Sequence, residues 1–118
     1  MVSEISSTAV LLLAFGGADS VDSVEPFLNN ILSPRTPSPQ LIEDARKRYM
    51  LIGGYSPITE ITMMQARMLG MRVNRGRKEK IPVYVGMKNW NPYIKDTIKE
   101  MAKDGVKKVI AVIMSPYV

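Results

Sequence analysis

Continuous apolar runs alternate along the chain with stretches in which apolar residues recur every three or four positions. The first pattern suits a strand covered on both faces, and the second suits an amphipathic helix. Thr8–Phe15 reads as a buried strand ended by Gly16-Gly17. Val24, Phe27, Leu28, Ile31 and Leu32 then fall on one helical face. Ser23 is the expected cap of that helix, with Pro26 in its first turn, where the missing N–H does no harm. Ser33-Pro34-Arg35-Thr36-Pro37 breaks the helix and reads as an exposed loop.

A second helix opens at Ser38-Pro39, carries Ile42, Ala45, Tyr49 and Ile52 at helical spacing, and ends at Gly53-Gly54 as a left-handed cap would. A third opens at Ser56-Pro57, with Ile61, Met64, Met68 and Met71 as its expected core stripe. Arg72 to Lys80 reads as a basic connector, and Ile81–Met87 as the second strand. Asn91-Pro92 starts a fourth helix with Ile94, Ile98, Met101 and Ala102 inward, closed near Asp104-Gly105. Lys107–Met114 is the third strand.

The order β-α-α-α-β-α-β predicts one three-layer α/β domain over residues 1–118 with a short parallel sheet. Three strands fall below the usual five or so, and no element follows the third to cover it. The chain is therefore expected to be the front part of a larger fold.

Composition narrows the chemistry. Of 118 residues, 46% are hydrophobic and 23% charged, which excludes disordered and low-complexity classes. The apolar run Ala9–Phe15 is far shorter than the roughly 20 residues of a membrane span. Glu4 precedes it and no basic segment does, which argues against a signal peptide. Cysteine and histidine are both absent, removing disulfides, thiolate chemistry, the commonest general base and the commonest transition-metal ligand. The net charge of +5 fits a solvated basic surface. Arg72, Arg75, Arg77, Lys78 and Lys80 cluster without aromatic residues between them, so nucleic acid is not an expected partner.

Gly16-Gly17-Ala18-Asp19-Ser20 sits where nucleotide folds bind phosphate, but it is neither G-x-G-x-x-G nor a P-loop, and Asp19 would repel an anion. Gly86-Met87-Lys88-Asn89-Trp90-Asn91-Pro92 places a cation, an amide and the single Trp at the carboxyl end of the second strand. Ligand site and structural staple are equal readings of it.

Several of these blocks together resemble the ferrochelatase family. They are Leu11 to Asp19, Val24-Glu25-Pro26-Phe27-Leu28, Arg48-Tyr49 with Ile52-Gly53-Gly54-Tyr55-Ser56-Pro57-Ile58, Ile61-Thr62 with Gln65-Ala66, Val85 to Pro92, and Ser115-Pro116-Tyr117. The resemblance runs through essentially the whole chain in register. It implies a Rossmann-like, chelatase-type domain that is the N-terminal part of an enzyme inserting ferrous iron into a porphyrin in haem biosynthesis. The family's second domain, with its metal-inserting His and Glu, is then missing here.

Carried over by position, the resemblance makes Phe15 an apolar wall against the macrocycle, since a Phe cannot ligate iron where the family has Tyr or Met. It puts Arg48, Tyr49 and Ser56 at the porphyrin and its carboxylates, which an arginine can grip in bidentate fashion. Lys88 matches a basic position at the cleft mouth. Arg35 lies in a loop where the family holds further arginines, although Leu32, Ser33 and Pro34 replace some of them.

No catalytic residue is expected. Asp19, at the end of the first strand, could accept protons only if burial raised its pKa. The implied partners are porphyrin, ferrous iron as substrate, the missing C-terminal domain or self-association in its place, and a peripheral membrane contact. No tightly bound cofactor is implied, and the expected location is cytoplasmic. A non-catalytic porphyrin-binding or scaffold module is the alternative, and a nucleotide-binding domain a weaker one.

Overall fold

The computed structural model describes residues 4–115; Pro116 and Tyr117 of the expected C-terminal loop lie outside them. Its elements are β1 (Glu4–Ile5), β2 (Thr8–Ala14), α1 (Val24–Leu32), α2 (Pro39–Leu51), α3 (Ile58–Val73), β3 (Glu79–Lys80), β4 (Val83–Met87), α4 (Ile94–Lys103) and β5 (Lys108–Ile113). The expected order holds, with a two-residue parallel pair, β1 with β3, added beside it.

The main sheet is parallel throughout, in the order β4-β2-β5. Val10 to Ala14 pair in register with Val83 to Met87, and Thr8 to Leu13 with Lys108 to Ile113. Alternation along β2 sorts the core into two layers. Val10, Leu12 and Ala14 join Val85 and Met87 against Ala66 and Leu69 of α3. Ala9 and Leu11 face the other way, against Met101 of α4. Helices therefore cover both faces, giving the three-layer arrangement. Gly86 permits the close approach of α4, because a Cβ there would lie 3.1 Å from Ile94 Cγ1 and 3.2 Å from its Cα.

A third cluster sits beyond the carboxyl ends of the strands, where α1 and α2 pack Val24, Phe27 and Ala45 around Ala18. Ser38 caps α2 by accepting from Leu41 N at 3.1 Å, with Pro39 just inside. Gly53 and Gly54 close that helix at φ +101° and +90°, the left-handed region that glycine favours.

Other expectations fail for identifiable reasons. On α3, Ile61, Met64, Met68 and Met71 are exposed, and the buried face is Thr62 and Ala66. Small side chains let this helix lie close to the sheet, and Thr62 Oγ1 is satisfied by donating to Ile58 O at 2.8 Å. On α4, Ile98 and Ala102 are exposed along a groove they share with Leu11 and Val109, while buried Thr97 donates its hydroxyl to Val85 O at 2.8 Å. Ile52 and Ile31 are also exposed. Ser23 does not cap α1 with its side chain, because its hydroxyl donates to Asp19 Oδ1 at 2.6 Å instead. The fourth helix begins at Ile94 rather than at Asn91-Pro92, since Pro92 O accepts from Met87 N at 2.6 Å and holds that stretch against β4.

All six residues of β5 are exposed, among them Val109, Ile110, Val112 and Ile113. A strand this apolar is ordinarily covered on at least one face.

Candidate functional site

The exits of the three main strands meet at Phe15. Lys88 N donates to Ala14 O at 3.0 Å, and Asn89 N to Phe15 O at 3.1 Å. The Phe15 amide donates to Ser115 Oγ at 3.0 Å, just past β5. This is the carboxyl edge of an open parallel sheet, the edge at which such folds bind ligands.

The turn that follows Phe15 is clamped from two sides. Ala18 N donates to the Tyr49 hydroxyl at 3.2 Å, and Ser56 N donates to Ala18 O at 2.8 Å. Gly17 makes this possible. A Cβ there would fall on Ser56 Oγ, within 2.5 Å of Ser56 Cβ and 2.9 Å of Ile58 Cγ2.

An edge-to-face aromatic run floors the same edge, from Phe15 to Phe27 (6.5 Å between centroids), Phe27 to Trp90 (6.2 Å) and Trp90 to Tyr93 (6.4 Å). Asn30 on α1 ties it down by donating to Asn89 O at 3.0 Å and to the Tyr93 hydroxyl at 2.8 Å. Asn30 went unnoticed in the sequence, and Asn89 and Ser115 stood out there only as members of larger blocks, without these bonds. Their roles depend on backbone groups 59 and 100 positions away, and no local motif announces them.

Phe15, Tyr49 and Ser56 thus meet at one turn. Arg48 is next to Tyr49 on α2, and Lys88 is held beside Phe15 through its backbone; both are exposed. Arg35 is exposed in the loop between α1 and α2, and its amide donates to Leu32 O at 2.8 Å. Among the described residues, none of these three cations makes a side-chain hydrogen bond or ion pair. The ion pair that does form joins Arg46 to Glu25 at 3.3 Å.

Asp19 does not meet the condition set for a proton acceptor. The hydrogen bond from Ser23 holds its carboxyl below the ordinary carboxylate value, outweighing the opposing effect of burial. The Trp90 indole pulls weakly in the same direction. The buried Trp90 Nε1 makes no hydrogen bond among the described residues, so the Ser23 hydroxyl is the group that sets the direction. Elsewhere, burial pushes the Tyr84 phenol up to about 12, aided by its hydrogen bond to Asp104.

Among the described residues, no three His, Cys, Asp or Glu side chains gather where they could hold a metal ion. No described helix is long and apolar enough to cross a membrane. A cavity of about 490 Å³ runs along β4 between α3 and α4 rather than at the Phe15 edge. Its lining carries Arg67 and Glu100 and none of the sequence-predicted site residues.

A sequence model of the family described as Ferrochelatase matches residues 7–118. The chain is 41% identical over 108 residues to the ferrochelatase of Acidobacterium capsulatum, covering 92% of this chain and 31% of that protein. It is 34% identical over 115 residues to the coproporphyrin III ferrochelatase of Oceanobacillus iheyensis, covering 97% and 37%. With the ferrochelatase of Herpetosiphon aurantiacus the identity is 35% over 112 residues, covering 95% and 37%. The chain spans about a third of the length of the curated relatives it matches.

Proposed function

Because the chain belongs to the ferrochelatase family, we propose that it is the N-terminal, porphyrin-binding part of an enzyme that inserts ferrous iron into a porphyrin in haem biosynthesis. The observation that carries this reading is the carboxyl edge of the sheet. An aromatic floor there is accompanied by the exposed cations Arg48 and Lys88, which make no side-chain hydrogen bond or ion pair among the described residues. A porphyrin is a flat apolar disc with carboxylates at its rim, and it needs both features.

Phe15 forms part of the wall under the macrocycle. Arg48 and Lys88 receive rim carboxylates, with Arg35 a more distant contributor. Tyr49 and Ser56 already spend polar groups on the turn: the Tyr49 hydroxyl accepts from Ala18 N, and Ser56 N donates to Ala18 O. They act on the ligand through the position of Phe15 as much as by touching it. Ferrous iron is a substrate in this reading, the reaction is cytoplasmic, and no tightly bound cofactor is required. The Oceanobacillus iheyensis relative is named for coproporphyrin III, which makes that tetracarboxylate the first porphyrin to try.

Metal insertion must remove two pyrrole protons near neutral pH. The chain has no His, and the Asp19 carboxyl is held low. These residues therefore bind and orient, while proton removal belongs to groups outside them. Taken by itself, the chain is a porphyrin-binding module, coupled either to a C-terminal domain or to another copy.

Absorbance titration with coproporphyrin III and with protoporphyrin IX tests the reading, with a nucleotide as the competing ligand. Porphyrin binding without nucleotide binding is expected. Binding of the nucleotide alone would overturn the class.

A further inference from the structure

β4 is an edge strand of the main sheet. Val10 N donates to Pro82 O and Lys88 N to Ala14 O, both at 3.0 Å, so the even-numbered residues of this segment serve the ladder to β2. The odd-numbered ones turn their amides and carbonyls to the free edge. The chain itself closes both ends of that edge. Asn74 takes the Ile81 amide and carbonyl, Thr97 Oγ1 donates to Val85 O, and Met87 N donates to Pro92 O. Three groups remain between these seals: Val83 N–H, Val83 C=O and Val85 N–H have no partner among the described residues.

They open on the cavity of about 490 Å³ between α3 and α4, whose lining includes Val83 and Val85. Arg67 on α3 and Glu100 on α4 stand on its two walls, both exposed and neither in an ion pair among the described residues. The three edge groups call for an acceptor, a donor and an acceptor in that order. An extended peptide presents that order along one edge of its own backbone. At about 3.3 Å per residue the open stretch meets about three residues, and the volume is in the usual range of binding sites. Successive side chains of such a peptide point to opposite faces, so two neighbours would meet Arg67 and Glu100.

We propose that this cleft docks an extended segment of a partner protein as an added strand on β4, with an acidic side chain against Arg67 and an adjacent basic one against Glu100. Main-chain bonds supply affinity in this mode, and side chains supply specificity. A second copy does not fit, since its own β4 edge lies on the floor of the same cleft and two recessed edges cannot meet. The proposal does not depend on porphyrin binding.

The test is fluorescence anisotropy of the 118-residue chain with a fluorescein-labelled Thr-Val-Glu-Lys-Val-Thr amide. Saturable binding is expected. The same peptide N-methylated at its four central residues keeps every side chain but loses those amide donors, and should bind at least about tenfold more weakly. Arg67→Glu should weaken the unmethylated peptide about fivefold, and a peptide with Lys in place of its Glu should regain that loss on the variant. Arg67 is exposed and without an ion pair among the described residues, so the variant should melt at the parent's temperature. No binding to the parent chain, or equal binding of the methylated peptide, overturns the proposal. Affinity indifferent to Arg67→Glu also overturns it, and would assign the peptide to the bare edge of β5 instead.

Discussion

Gly17→Ala probes the joint on which the candidate site turns. The new methyl has no free volume, since it would overlap Ser56 Oγ and lie 2.5 Å from Ser56 Cβ and 2.9 Å from Ile58 Cγ2. Ser56 cannot simply retreat, because its amide holds Ala18 O at 2.8 Å. Overpacking of this kind costs about 1–3 kcal/mol, and loosening that hydrogen bond adds about 1 kcal/mol. The sum, about 2–4 kcal/mol, corresponds to a Tm lower by roughly 8–16 °C for a domain of this size. Differential scanning calorimetry reads it directly. Gly76→Ala is the control, because that position has φ +73° and nothing within 4 Å, so only the backbone cost of about 1 kcal/mol applies. Adding Ser56→Gly to Gly17→Ala should recover part of the loss, as coupled neighbours do. A Gly17→Ala protein within about 0.5 kcal/mol of the parent would refute the clamp, since surface changes commonly fall in that range.

Three further outcomes are expected of the folded chain. The Tyr84 phenol titrates near 12 in the folded chain against 10.0 ordinarily, so its contribution to stability is complete below pH 10 and lost as pH rises from 10 toward 12; Tyr84→Phe should flatten that loss in alkaline urea melts. Leu12→Ala, at a side chain 1% exposed in the centre of the sheet, should cost about 3–5 kcal/mol by denaturant unfolding. Anaerobic incubation of the 118-residue chain with ferrous ion and porphyrin should yield metalloporphyrin no faster than the protein-free background; faster turnover abolished by Asp19→Ala would make that carboxylate catalytic after all.

The sheet was legible because β2 and β4 must be apolar on both faces, and such runs survive without knowledge of their neighbours. Which side of a helix points inward was not. Met64, Met68 and Met71 have the right period for a core stripe, but so do Thr62, Ala66 and Leu69, and close packing chose the smaller set. Thr97 lies inward for a similar reason, since its hydroxyl finds Val85 O. The basic stretch from Arg72 to Lys80 looked like a plain connector. Yet Asn74 makes a paired clamp on Ile81, donating to its carbonyl at 2.8 Å and accepting from its amide at 2.7 Å. No period or composition reports such a bond. At the candidate site the residues themselves could be picked out by resemblance, but the linkage of Tyr49 and Ser56 to Ala18 is visible only in three dimensions.

The porphyrin site is tested most directly by the dissociation constant of coproporphyrin III for the parent chain and for Arg48→Ala, followed through the Soret band. Arg48 is exposed and has no side-chain partner among the described residues, so its loss should leave the fold intact. A charged hydrogen bond to a carboxylate is worth about 1.5–3 kcal/mol, and the variant should therefore bind about 10- to 150-fold more weakly with an unchanged Tm. Equal affinity in the two proteins, or no porphyrin binding by either, would contradict the site described above.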